Sequence, residues 1–354
     1  MTRTPMNTVG IVAYGSFVPR LRISVEEIAR TWKKDPKKIS EGLGLVEKAV
    51  ASIDEDTATI SVEASRNCVE DFGLNAQDIG AIYAGSESHP YAVKPTAGIV
   101  GEALNAGPEF MAADLEFACK AGTAAIQACM GLVASEMIEY GLAIGSDTAQ
   151  GKPNDALEFS AGSGGAGFVV GRYPKEIIAT LDATFSFTTD TPDFWRRQHA
   201  EFPQHAGRFT GEPAYFRHVV GATKGIMNKT KMKPEDFDWV VFHQPNGKFP
   251  VVAAKMLGFE KEKIEQGLLT PMIGNTYSGA SMVGLASVLD VAKPGDRILV
   301  TSYGSGSGSD SFVLTATKQI ENHRARVPLL EAIKDKEYIS YAEYAKHRKK
   351  LKNL

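Results

Sequence analysis

The chain has 354 residues, of which 43% are hydrophobic and 23% charged, values of an ordinary globular protein with one large domain or two. A net charge of −3 gives no sign of a nucleic-acid binder, and no run approaches the roughly 18 apolar residues of a membrane helix. Three cysteines are too few for a disulfide framework, and polar residues 1–8 carry no secretory signal. A cytoplasmic location with reduced thiols is expected.

In chain order, residues 9–15 read as a buried strand ended by Pro19. Ser24-Val25-Glu26-Glu27 fits a capping box that opens a helix through Trp32. Residues 35–40 read as charged and irregular, and Gly42-Leu43-Gly44 as a turn. Ile53-Asp54-Glu55-Asp56-Thr57 opens a predicted amphipathic helix through Phe72, followed by a buried strand over 78–85 and a helix over 97–104. A short apolar run then ends at Cys119, and from there to about Met137 the residues are almost all small or apolar. A helix apolar on every side is a buried helix. Cys119 is therefore expected at the N-terminal end of a core helix, where the dipole favours a thiolate. Cys68 and Cys129 read as core residues. Strands are predicted over 141–147, 162–170 and 177–185.

Residues 188–213 read as irregular, followed by a helix over 215–229 and a strand over 238–242 that ends at His243. Residues 275–292 form a second small-residue core helix, 297–302 a strand, 304–310 a glycine-rich turn and 311–317 a last strand. Alternating strands and helices indicate an α/β fold. The order also repeats. Glu87 and Cys119 are 32 residues apart, as are His243 and Asn275. In each half a polar residue ends a buried strand and another opens a core helix. Two halves related by a pseudo-twofold axis bring these four residues to one site. The expected units are residues 1–175 with Glu87 and Cys119, residues 176–320 with His243 and Asn275, and a basic helical tail over 321–354.

A thiolate nucleophile exchanges one thioester for another at little thermodynamic cost. His243 and Asn275 can donate hydrogen bonds to a carbonyl or alkoxide oxygen. A carboxylate beside an acyl-cysteine can remove a proton from the carbon next to the carbonyl, and burial of Glu87 raises its pKa toward that task. The set predicts carbon–carbon bond formation on an acyl-thioester.

Ala118-Cys119-Lys120-Ala121-Gly122-Thr123, His243-Gln244-Pro245-Asn246-Gly247-Lys248 and Gly274-Asn275-Thr276-Tyr277-Ser278-Gly279-Ala280-Ser281 resemble the Cys–His–Asn motifs of the thiolase superfamily. With Glu87 in Ser86-Glu87-Ser88, the pattern looks most like hydroxymethylglutaryl-CoA synthases of the compact archaeal type, over roughly residues 9–345. The resemblance implies a five-layered αβαβα thiolase fold, a homodimer, and no cofactor beyond the substrates acetyl-CoA and acetoacetyl-CoA. It implies that Cys119 is acetylated, that Glu87 forms the enolate, and that His243 polarises and protonates the acceptor oxygen. It places Ser160, Thr210 and Ser305 in the acyl pocket beside Asn275, Arg208 and Lys248 on CoA phosphates, and Asp35 and Pro36 near the ligand. Val251 and Val252 stand where related sequences can carry a basic residue. It implies a mevalonate-pathway enzyme in a complex with acetoacetyl-CoA thiolase and a small OB-fold, zinc-ribbon bridging protein.

Other features carry less. The Gly304 turn lacks the lysine of a Walker loop. The histidines lack metal-ligand spacing, and His199 and His205 read as surface residues. Trp195-Arg196-Arg197 reads as an amphipathic loop, and Lys346-His347-Arg348-Lys349-Lys350 as a solvated helix end that could aid docking. The rival activity is a type III 3-ketoacyl-ACP synthase, which shares Cys, His and Asn but decarboxylates malonyl-thioesters and needs no carboxylate base. A degradative thiolase would carry a second reactive cysteine near Gly304. A silent scaffold would not become acetylated.

Overall fold

A computed structural model describes residues 8–349. Nine strands form the central sheet: β1 (Gly10–Phe17), β2 (Ile79–Gly85), β3 (Met111–Leu115), β4 (Tyr140–Thr148), β5 (Ser163–Gly171), β6 (Ala179–Thr188), β7 (Trp239–Phe242), β8 (Arg297–Thr301) and β9 (Gly308–Ala316). Their spatial order is β7-β8-β9-β6-β1-β5-β4-β2-β3. From β1 outward the partners run antiparallel to β5, antiparallel to β4, then parallel to β2. From β6 the same sequence recurs with β9, β8 and β7. The two halves meet where β1 and β6 pair antiparallel at Gly10–Thr180 and Ile11–Ala179. The pseudo-twofold relation read from the 32-residue spacing is thus present in the hydrogen bonding. Among the described residues only β3 lacks a counterpart, and it forms one edge of the sheet.

Residues of β5 are buried at every position, as expected for a sheet covered on both faces. The helices Ala121–Ala134 and Ala280–Leu289 form the central layer. The second is buried along its whole length. It packs on β1 and β5 of one half, on β7 and β8 of the other, and on the first helix. Their small residues are a packing requirement: a Cβ on Gly122 would come within 2.3 Å of Met282 Sδ. The helices Thr57–Asp71 and Arg217–Thr230 cover outer faces, completing the αβαβα thiolase fold. Among the described residues no helix is long and apolar enough to cross a membrane.

Three local expectations are corrected. Residues 35–40 are not irregular, since Pro36–Leu43 is a helix. Asp35 caps it by accepting from Lys37 N and Lys38 N, and Gly44 ends it at φ 66°. No residue of it is buried, so its charge hid the pattern. Residues 188–213 contain a short hairpin, Phe194–Trp195 with Gln204–His205, and a π-helical turn follows at Gly211–Phe216. The C-terminal segment is not a solvated tail. Glu337–Tyr338 pairs with Leu21–Arg22, and helix Tyr341–His347 packs onto the body. Arg348 is only 8% exposed, with its guanidinium on the Thr148 carbonyl at the end of β4. Buried Lys48 joins this helix to the body by donating to Tyr344 Oη and the Glu158 carbonyl. Residues 350–354, the end of the expected docking tail, lie outside the described residues.

Candidate active site

Cys119 sits in the turn between β3 and the helix Ala121–Ala134, after Ala118 at φ 43°. The glycine-rich turn is pressed against it. A Cβ on Gly304 would lie 2.5 Å from the Phe117 carbonyl oxygen, so only glycine fits there. Lys120, the next residue after the cysteine, is buried, with Nζ 2.8 Å from Asp310 Oδ2 and 4.3 Å from the centre of the Phe117 ring. The Cys119 thiol is 4% exposed, and burial pushes its pKa well up, reinforced by the carboxylates of Glu87, Asp147 and Asp193. This reverses the expectation of a helix-lowered thiol. The helix begins two residues later, and desolvation with three nearby negative charges outweighs its dipole.

Cys119, His243 and Asn275 line one cavity of about 300 Å³, together with Ser160, Thr210, Ser305 and Lys248. His243 follows β7. Its N–H donates to Thr301 O (2.8 Å) and its carbonyl accepts from Tyr215 Oη (2.6 Å). Burial lowers the ring pKa to about 3, so the imidazole is neutral, and Nδ1 has no partner among the described residues. Asn275 is held by backbone. Its N–H donates to Ser160 O (2.6 Å) and its carbonyl accepts from Gly162 N (2.9 Å). Its Oδ1 accepts from Tyr277 N (2.9 Å), which orients the amide and leaves the NH₂ for the cavity.

Glu87 follows β2, close enough to the cavity-lining residues Cys119 and Tyr277 to act on their ionisation. Fully buried Asp147 at the end of β4 holds this corner. Its Oδ1 accepts from Ser86 Oγ (2.6 Å), Glu87 N (2.9 Å) and Ser88 Oγ (2.7 Å), and its Oδ2 from Ser278 N (2.8 Å). Burial, and then Asp147, raise the Glu87 pKa well above the usual carboxylate range, with Arg196 opposing in part. Glu87 in turn holds up the ionisation of Cys119 and Tyr277, which places the three groups in one electrostatic cluster.

The remaining expected contacts divide. Lys248 is exposed at the rim, where it caps helix Phe249–Leu257, an element without a sequence assignment. Asp35 and Pro36 do not line the cavity; the other end of their helix does, through Gly42 and Leu43. That end is locked to the His243 loop by Gly247 N donating to Leu43 O (2.9 Å). Arg208 lies in the one-turn helix Gly207–Phe209, and its side chain is outside the described set. His205 is half-buried rather than freely exposed. It lines the cavity with Nε2 3.2 Å from Asp155 Oδ1, whereas His199 is exposed. Sequence reasoning missed Asp193, Tyr215, Tyr277 and Tyr303, all cavity-lining. Asp193 accepts from Tyr303 Oη (2.5 Å) and Gly306 N (2.9 Å), so it holds the glycine-rich turn. One available signal was Tyr303 lying opposite Asp147 in the internal repeat.

A buried cysteine, a neutral histidine and an oriented asparagine around one cavity, on this fold, define a thiolase-superfamily condensing enzyme. Residues 227–316 match the family described as 3-Oxoacyl-[acyl-carrier-protein (ACP)] synthase III C terminal. The hydroxymethylglutaryl-CoA synthase of Methanothermobacter thermautotrophicus is 61% identical over 97% of this chain and 99% of that protein. That of Methanocaldococcus jannaschii is 60% identical over the same shares. The solved structure of MvaS in complex with 3-hydroxy-3-methylglutaryl coenzyme A superimposes with a TM-score of 0.88 at 25% identity, covering 97% of this chain and 92% of that one. The chain belongs to the hydroxymethylglutaryl-CoA synthase family, a family of condensing acyltransferases.

Proposed function

We propose that this cavity condenses acetyl-CoA with acetoacetyl-CoA and water to give 3-hydroxy-3-methylglutaryl-CoA and CoA. Cys119 takes the acetyl group, and its proton leaves with the CoA thiol. Glu87 removes a proton from the acetyl methyl, and the C–H electron pair becomes the enolate double bond. The enolate carbon attacks C3 of acetoacetyl-CoA. Neutral His243 hydrogen-bonds the ketone oxygen and passes a proton to the alkoxide that forms, and the proton taken up by Glu87 returns to the imidazole, so the site ends with a neutral histidine and an ionised carboxylate. Asn275, Ser160, Thr210 and Ser305 orient the acyl groups, Lys248 and Arg208 meet CoA phosphates, and Asp35 and Pro36 act through the helix they open. Water then hydrolyses the Cys119 thioester.

The observation that supports this reading is the half-buried Glu87, held through its N–H by Asp147, which also holds Ser278 beside Asn275, and acting electrostatically on Cys119. A decarboxylating synthase gains its carbanion by losing CO₂ and has no use for that base. The test is Glu87→Ala followed by two assays, acetylation of Cys119 by mass spectrometry and consumption of acetoacetyl-CoA. Acetylation with condensation abolished is expected. Condensation near the parent rate would make Glu87 structural.

The same reading includes a homodimer paired through the open edge of β3, where Met111 and Ala112 are exposed. It includes a cytoplasmic, mevalonate-pathway role and a complex with acetoacetyl-CoA thiolase and an OB-fold bridging protein.

A further inference from the structure

The hairpin Phe194–Trp195 with Gln204–His205 is tied to the site at several points. At its foot Ala206 N donates to Asp193 O (2.8 Å), and the Asp193 carboxylate holds the glycine-rich turn through Gly306 N (2.9 Å). The Phe194 ring packs beside Cys119, with its centre 6.2 Å from that of Tyr277. His205 meets Asp155 across the cavity wall. From the loop that joins the two strands, Arg196 reaches into the other half of the molecule. Its Nη2 donates to the Glu87 carbonyl oxygen at 3.2 Å.

That contact falls where the sheet stops supporting the chain. The last bond between the β2 segment and β3 is Ser86 N to Leu115 O (3.2 Å). Beyond it, side chains hold both main-chain polar groups of Glu87. Asp147 Oδ1, from the same half, accepts from its N–H (2.9 Å), and Arg196, from the opposite half, donates to its carbonyl. A residue held on both sides by charge-assisted hydrogen bonds has its backbone dihedrals fixed, and with them the origin of its side chain. The ionisable groups around the carboxyl are Asp147 from β4, Cys119 from the turn after β3, Tyr277 from the turn before Ala280–Leu289, and Arg196 from the hairpin. His89, two residues on, turns to Asp114 instead, with Nδ1 3.3 Å from Oδ2. Burial and Asp147 disfavour the ionised carboxylate, and Arg196 is the cation that opposes them.

We propose that Arg196 is a positioning residue of the condensation: from the hairpin it holds the Glu87 main chain opposite Asp147 and so aims the carboxyl at the acetyl methyl on Cys119. This rests on the reaction assigned above, and Arg196 itself touches no reacting atom. The hairpin then links the cavity wall, through Phe194 and His205, to the placing of the base.

Arg196→Gln removes the cation. Arg197→Gln, on the same hairpin, removes one whose side chain makes no hydrogen bond or ion pair among the described residues. Both full-length variants are followed by acetylation of Cys119 in mass spectrometry, by melting temperature, and by kcat and KM for acetoacetyl-CoA across the pH range. For Arg196→Gln a kcat lower by roughly 10-fold near neutrality is expected, with KM within about twofold of the parent, as for a displaced catalytic group. Acetylation and melting temperature should stay at the parent level. The acid limb of kcat/KM should move to higher pH, because losing the cation favours the protonated carboxyl. Arg197→Gln should match the parent, and Arg196→Lys, which restores the charge, should bring the limb back. A kcat within about twofold of the parent and an unmoved limb would overturn the proposal. So would a raised KM with kcat and limb unmoved, which would make Arg196 a substrate contact. An equal effect of Arg197→Gln would also overturn it, since any cation on the hairpin would then serve. A lower melting temperature with acetylation lost would make the contact structural. Glu87→Gln separates this proposal from the reading beneath it. If Glu87→Gln is inactive and the Arg196→Gln limb is unmoved, only the positioning role fails. If Glu87→Gln condenses near the parent rate, the base assignment itself fails.

Discussion

Lys120 Nζ lies 2.8 Å from Asp310 Oδ2, and the two side chains are 7% and 0% exposed. The pair joins the residue after the nucleophile to β9, which follows the glycine-rich turn. Asp310 also accepts from Thr123 Oγ1 (3.2 Å) and Ser186 Oγ (2.8 Å). A buried ion pair is costly to break from one side, because the remaining charge cannot be solvated.

Lys120→Met is therefore expected to cost about 3–5 kcal/mol of stability. Asp310→Asn added to Lys120→Met should recover much of that, since no lone charge remains. Urea unfolding of both variants measures the two costs. Equal stability of Lys120→Met and the parent would show that the pair does not hold the turn.

Raised carboxyl pKa values have a defined sign. The fold disfavours ionised Glu87. Its stabilising contribution is complete below the ordinary glutamate pKa of about 4.3 and is lost as pH rises through the raised folded value. Glu87→Gln should therefore gain melting temperature relative to the parent at pH 8 and show little difference near pH 4. The acid limb of parent kcat/KM should lie above the ordinary carboxylate range, because the ionised base is the active form. His243, at about 3, adds no limb near neutrality.

The dimer assignment rests on an open edge. Met111→Asp with Ala112→Asp places negative charge on the unpaired side of β3, and charge on an edge strand opposes pairing. Size-exclusion chromatography with light scattering should show the parent as a dimer and the variant as a monomer. A dimeric variant would move the interface elsewhere.

Truncation of the C-terminal segment should cost stability. Removing residues from Lys346 onward deletes Arg348, whose buried charge-assisted bond to Thr148 O is worth about 1.5–3 kcal/mol. Urea unfolding of this truncation measures the loss, and a stability equal to the parent's would show that the contact does not hold the segment.

Much of this was legible in the chain itself. Apolar runs located eight of the nine sheet strands to within a few residues, and the two small-residue runs marked the central helices. These are local signals, written in side-chain size and polarity. The 32-residue spacing joined Glu87 to Cys119 and His243 to Asn275, because duplication places equivalent strand ends together. What failed was also local in cause. The helix Pro36–Leu43 puts only Ile39 and Leu43 against the body and buries neither fully, so its apolar stripe is too short to stand out among its charges.

Only the tertiary structure decided the electrostatics and the burial of polar groups. The direction of the Cys119 pKa depends first on burial and then on Glu87, Asp147 and Asp193, which are distant in sequence and close in space. Tyr277 reads as one aromatic residue in a motif until its hydroxyl is found without a partner. Arg348 sits in a basic run that reads as solvated until β4 is found beneath it. Pattern in a sequence reports which residues can be buried. Which charges meet, and which polar atoms lose water, depends on contacts between segments that no local pattern encodes.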